Sequence, residues 1–447
     1  MSWTSDNPFL RGPYAPIFDE QDESDLRVDG QIPRALRGVF MRNGPNAQFK
    51  PEQYVYPFDG TGMIHAVYLE DGRARYRNRW VLTRELQEER AAGRRIYGPS
   101  FGPPPNPNLA NTNIIRHAGR YLALFESGAP YEIDRELNTI GIFDYQGRLP
   151  GIMSAHPKVD PGTGELVAIN YDIAETTTLT YMTADRAGRL QRIFTFKAPW
   201  SAMVQDIAIT QNYVLAFVCP FVINATKPDA PPAAWEPNRG TAIALLPRCG
   251  DAGSVRWLTA PPFFQFHFMN AFEEKGRIET CFPWFSSYSM GERPDSGTRL
   301  ELHRLTIDLD TGAVKDEALD DRSCEFPRIN ERLLGRRNRY CYLAFHLSRT
   351  GETQRAGIFE AVTRYDISNG ARIVHAFPAG HFGGEPLFVP NPGATGEDDG
   401  FIFTFVDDAV HDRGSLVILD ARDLNDVASV RLARRVPAGL HGSWFEA

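Results

Sequence analysis

A recurring hairpin constrains this chain more than any other feature. LTIDLDTGAVKD (305–316), TRYDISNGARIVHAF (363–377) and YMTADRAGRLQRIFTF (181–196) share one shape. Each is a β-rich run, an acidic residue, a glycine turn and a returning run. The glycine supplies the positive φ that a tight turn needs. RYLALFES (120–127), ELVAINYD (165–172), TLTYMTAD (178–185), YVLAFVCPF (213–221) and FIFTFVDD (401–408) read as further strands between Gly, Asp, Asn and Pro turns. Strand signals dominate from about residue 36 to the end. Hairpins repeated along that length predict an all-β fold, a β-propeller of blades set about an axis. A large sandwich or two β-domains is the alternative.

One helix is predicted, in RWVLTRELQEERAAGRRIYG (79–98). Thr83 is placed to cap its start and Gly93 to end it. PSFGPPPNPNLANTN (99–113) reads as a Pro/Asn loop lying over one face, and PFVINATKPDAPPAAWEPNRG (220–240) as an ordered cap. No linker separates two halves, so residues 1–447 are expected to form a single domain.

The net charge is −8 and no long basic run occurs, which argues against nucleic acid as a partner. Five widely spaced cysteines with no CxxC suit free thiols in a reducing compartment. The stretch MSWTSDNPFLRGPYAPIFDE lacks the basic and apolar regions of a secretory signal. No apolar run approaches the ~18–20 residues of a membrane span. A cytoplasmic protein without a transmembrane segment is expected.

MVQDIAIT (203–210) poses a question of its own. Met203, Val204, Ile207 and Ile209 predict a buried strand, with Gln205 and Asp206 in its middle. An unpaired buried polar group costs ~1–3 kcal/mol, so both need partners. Ten histidines occur without an HxH or HxxxH pair. A metal site would therefore draw single histidines from separate strands, as a propeller axis can. His156 precedes a turn and a strand in SAHPKVDPGTGELV, His267 lies in FFQFHFMNAFE, and His441 lies in VPAGLHGSWFEA. Any one of these, taken alone, is more often a hydrogen-bonded core residue than a ligand.

Several ordered blocks carry a resemblance. They are NPFLRGPYAPI, RGVFMRNGPNAQF, YPFDGTGMIHAVYL, LALFESGAPYEID, SAHPKVDPGTGEL, MVQDIAIT, FHFMNAFE, EFPRIN, GGEPLFVPNPG, EDDGF and GLHGSW. Through them the chain resembles the carotenoid cleavage oxygenases, and within these the bacterial lignostilbene dioxygenase branch. The resemblance implies a seven-bladed β-propeller with a loop and helix cap over the metal-bearing face. It implies one Fe(II) held by four histidines, three of which match His156, His267 and His441. Gln205 stands in the place of the fourth. The amide oxygen is a weaker donor than imidazole, so Gln205 is expected to ligate weakly or to leave a coordination position open. Glu126, Glu325 and Glu385 match the carboxylates that orient the ligands.

The implied substrate is an apolar aromatic or polyene alkene, with O₂ as co-substrate. Phe58, Phe125, Phe263, Phe264, Phe266, Phe268, Phe282, Trp284, Phe285 and Trp444 supply aromatic surface, for which core packing is the ordinary use. Phe58, Tyr97, Phe101, Phe125, Phe266 and Trp284 are the expected substrate contacts. Lignostilbene cleavers anchor a substrate hydroxyl with a lysine, and Phe125 takes that position here. Tyr97 and Phe101 are the candidates for the tyrosine that aids it. The expected activity is Fe(II)-dependent cleavage of a conjugated C=C bond to carbonyl products. A metal-dependent isomerase or lyase, and a non-catalytic binding paralogue with an impaired iron site, are the competing readings. A homodimer is one oligomeric state open to such a chain.

Overall fold

The computed structural model describes residues 3–100, 106–224, 232–289, 297–348 and 356–447. Among them the strands form seven sheets of four to six strands and one two-stranded ribbon, with a single α-helix. The chain divides into two compact units. One comprises Met1–Ile152, Gln354–Arg364 and Ile373–Ala447, the other Met153–Thr353 and Tyr365–Arg372.

In the first unit the two ends of the chain are sewn together. Gly38–Pro45 pairs with Gly62–Glu70 on one side and with Gly442–Glu446 on the other. Val28–Gly30 likewise pairs with Asp426–Arg431 near the other end of the sequence. Gly38 is needed at this clasp, because a side-chain carbon there would come within 2.4 Å of the Phe445 carbonyl oxygen. Phe40, Val67, Leu69, Phe403, Leu416 and Ile418 fill the core beneath. The helix runs Arg84–Ala92, as its caps predict. Thr83 accepts a hydrogen bond from the Leu86 N–H at 3.2 Å, and Gly93 turns the chain out at φ +67°.

The second unit is a series of antiparallel meanders. Lys158–Val159, Leu166–Asp172, Thr178–Ala184 and Leu190–Lys197 form one. Ile207–Ile209, Tyr213–Val218, Thr241–Pro247 and Arg256–Ala260 form the next, and Asn270–Glu274, Arg277–Phe285, Leu300–Asp308 and Val314–Asp320 a third. The glycines of the three expected hairpins, Gly188, Gly312 and Gly370, stand at φ +77°, +74° and +74°. The expected cap at 220–240 includes a ribbon of Phe221–Ile223 with Ala233–Trp235, while residues 225–231 lie outside the described residues. No helix among the described residues is long and apolar enough to cross a membrane.

One expectation is corrected. MVQDIAIT is not a strand throughout, since the strand begins only at Ile207. Gln205 and Asp206 sit in the segment leading into it. Gln205 is part-buried, so the need for a buried partner falls on Asp206 alone.

Candidate metal centre

Three expected ligand positions open consecutive sheets of the second unit. His156 lies just before Lys158–Val159, Gln205 just before Ile207–Ile209, and His267 just before Asn270–Glu274. Each of those strands is the first of its meander and lies at its edge. A residue at the mouth of such a strand is free of the alternation that a strand imposes on its side chains. Three sheets can therefore each deliver one side chain from an equivalent place.

The rings of His156 and His267 stand 5.2 Å apart, inclined at 46°. Their ligating nitrogens are within 4.8 Å of each other. His156 is buried, and its backbone N–H donates to the Ser154 hydroxyl at 3.1 Å. Ser154 is held in turn through its own N–H by the Asn170 side chain at 2.8 Å. His267 donates from Nδ1 to Glu325 Oε2 at 2.7 Å. That hydrogen bond fixes the tautomer and leaves the lone pair on Nε2.

Glu325 is aimed by a distortion of its strand. The pairing of Cys324–Arg328 with Tyr340–Phe345 shifts register between Glu325 and Arg328. Phe326 adopts φ +50°, a left-handed conformation that costs a phenylalanine energy. Its N–H donates back to the Glu325 carboxylate, and its ring lies 5.5 Å from that of His267.

Asp206, beside Gln205, is the residue that reading the sequence for ligands overlooked. Its carboxylate is almost wholly buried. Oδ1 takes the Lys158 ammonium at 2.7 Å and the Ile207 N–H at 2.7 Å, while Oδ2 takes the Phe268 N–H at 2.8 Å. Burial pushes its pKa up, but the Lys158 ammonium and then the His156 and His267 rings outweigh that and hold it below the ordinary carboxylate range. An acid next to the glutamine of MVQDIAIT was the available signal.

In the first unit His441 immediately precedes the closing strand Gly442–Glu446. Its Nδ1 donates to Glu385 Oε1 at 2.8 Å, and the Gly442 N–H donates to Glu385 Oε2 at 2.8 Å. His441 thus has the same tautomer as His267, with its lone pair on Nε2. Its main chain is anchored to Thr112 and Asn43. Glu126 and Phe125 are both buried, just past the strand Arg120–Leu124.

These donors fit a metal of the kind that imidazoles hold. Two rings carry a carboxylate on one nitrogen and present the other, the arrangement that raises a ligand's basicity. The family model described as "Retinal pigment epithelial membrane protein" matches residues 14–446. A carotenoid cleavage oxygenase of Mycobacterium tuberculosis is 35% identical over 495 aligned positions, covering 98% of each chain. The chain belongs to the carotenoid cleavage oxygenase family. The family is one of metal-dependent, non-haem oxygenases. An isoeugenol monooxygenase of Pseudomonas nitroreducens is 32% identical, again over 98% of each chain. The crystal structure of Pseudomonas brassicacearum lignostilbene dioxygenase superposes with a TM-score of 0.92 at 28% identity, covering 100% of both chains. The seven sheets are accordingly the blades of a seven-bladed β-propeller.

The aromatic residues of this family member divide by use. Phe263, Phe268 and Phe282 are core, packed with Phe217. Trp444 packs on Phe403 in the first unit. Phe266, next to His267, joins Phe264, Phe285 and Tyr288 in an aromatic group in which Phe264 and Tyr288 stack at 4.0 Å. Tyr288 was not anticipated. Trp284 lies flat against His303, 4.4 Å between ring centres. Phe58 is part-buried against Tyr56. The Tyr97 hydroxyl donates to Glu88 on the helix, and this raises its pKa to about 12. Phe101 lies outside the described residues.

Proposed function

We propose that this chain is an Fe(II)-dependent oxygenase that cleaves a conjugated C=C bond of stilbene, phenylpropenoid or apocarotenoid type. In the balanced reaction R–CH=CH–R′ and O₂ give two carbonyl products, each taking one oxygen atom. His156, His267 and His441 hold the ion in this reading, and His156 and His267 bring their ligating nitrogens within 4.8 Å of each other. Gln205 offers an amide oxygen as the fourth position. Bound iron would supply the redox chemistry that lets dioxygen react with an alkene. The chain's residues keep the donors neutral and oriented, through Glu325 on His267, Glu385 on His441, and Glu126. The observation that carries the reading is the carboxylate-to-Nδ1 bond at both His267 and His441. The five free cysteines suit the cytoplasm, and residues 1–447 act as one domain.

The substrate reading rests on Phe125. A lysine ammonium there could hydrogen-bond a phenol, and a phenyl ring cannot. A buried hydroxyl without a partner costs ~1–3 kcal/mol, or roughly 5- to 150-fold in discrimination. Phe58, Phe266, Trp284, Tyr97 and Phe101 complete the proposed contacts. The test gives iron-loaded protein hydroxylated and O-methylated stilbenes and phenylpropenes under ¹⁸O₂. Ethers should be preferred, with label in the carbonyl products. Preference for the free phenol that Phe125→Lys leaves unchanged would sink the substrate reading. Turnover without label points to the isomerase or lyase, and no turnover to a binding protein.

A further inference from the structure

Asp206 belongs to no ligand or carboxylate role implied for this site, yet it is tied to every ligand-bearing segment of the second unit. It follows Gln205 in the chain. Through Lys158 it grips the segment of His156, and through the Phe268 N–H it grips the residue after His267. Both oxygens are engaged, so its orientation is fixed from three directions. A carboxylate buried to this degree needs such partners, and it pulls them together because a substitute for each bond from water is not at hand.

We propose that Asp206 is a positioning residue, a buried clamp that sets the separation of the His156 and His267 rings and hence the geometry offered to the metal. The inference rests on the reading that those imidazoles bind metal. Loss of the clamp frees two backbone segments to drift apart, and the 5.2 Å spacing of the rings is lost with them. The Lys158 ammonium is the second half of the device, since removing only the carboxylate strands a cation in a largely buried place.

The experiment uses Co(II) as probe on the full chain, read by its visible absorption bands and by competition with a chelator. Urea unfolding of the metal-free protein runs alongside. Asp206→Ala should weaken Co(II) binding about 10- to 100-fold, as loss of outer support for a metal site does, and should alter the bands of what still binds. Asp206→Asn combined with Lys158→Met should recover part of the lost affinity, short of wild type because the tie to the His156 segment is gone. There the asparagine carbonyl still accepts from Phe268 and no ammonium is stranded. If Asp206→Ala does not fold, the double variant is compared with Asp206→Leu/Lys158→Met, which keeps the volume and lacks the acceptor. Wild-type affinity and bands in a folded protein lacking the acceptor overturn the clamp alone. Failure of the wild type to bind Co(II) overturns the metal reading, and the clamp with it.

Discussion

His267 and His303 lie in the same unit, and both are bound by carboxylates, yet they are built for opposite ends. His267 gives one nitrogen to Glu325 at 2.7 Å. His303 gives both, Nδ1 to Asp316 at 2.7 Å and Nε2 to Glu301 at 2.9 Å. A neutral imidazole has one N–H, so two carboxylate partners call for the imidazolium. Burial alone would lower the pKa of His303, but the hydrogen bonds to Asp316 and Glu301 outweigh it and raise the pKa. Trp284 covers the ring, and Arg299 lies 5.2 Å from the centre of the Trp284 ring while pairing with Glu301. His303 is held through both ring nitrogens within a sheet, an arrangement that suits a cation and leaves no lone pair to offer. On the proposed metal reading, the number of carboxylates on the ring separates His267 from a structural histidine such as His303.

The largest effect that tests this contrast is loss of the donor itself. His267→Ala should remove about one Fe(II) site in an anaerobic titration. Equal and poor binding by wild type and variant would put His267 in the structural class. Removing only the charge behind it is milder. Glu325→Gln should weaken the metal about 10- to 100-fold, because the amide still accepts from Nδ1 but no longer raises the ring's basicity. An unchanged affinity would mean that the carboxylate serves folding alone. Smaller again is the gain from Gln205→His, since in the proposed reading three imidazoles already hold the ion. Tighter iron binding is expected from the better nitrogen donor, and no change would show that residue 205 faces elsewhere.

The contrast also marks where the sequence is legible. The hairpins at 181–196 and 305–316, their glycines and the capped helix could be read because each depends on neighbours in sequence. His156, His267, His441 and their glutamates were marked by motif resemblance, and the bonds to Glu325 and Glu385 follow it. What could not be read depends on distant partners. Asp206 meets Lys158 and Phe268 from far along the chain. The left-handed Phe326 has no local signal, since phenylalanine does not announce a positive φ. The stacking of Trp284 on His303 likewise has no local signal. The strand in MVQDIAIT was drawn too long because the part-buried Met203 and the buried Val204 are packed rather than paired.

The smallest effect is the one that defines the other side of the comparison. His303 has a folded pKa raised above its unfolded value. A group of that kind contributes fully below the unfolded value, about 6.5, and its contribution is lost as pH rises through the folded one. The charged groups that face it are Asp316, Glu301 and, through Glu301, the guanidinium of Arg299. Urea unfolding of metal-free protein from about pH 6 to about pH 9 should therefore show wild type losing on the order of 1 kcal/mol more than His303→Gln, which has no proton to lose. Iron affinity should be equal in the two proteins. Parallel pH profiles would mean that His303 is neutral and one of its carboxylates carries the proton. It would then share the one-donor chemistry of His267, and carboxylate count would no longer tell the two apart.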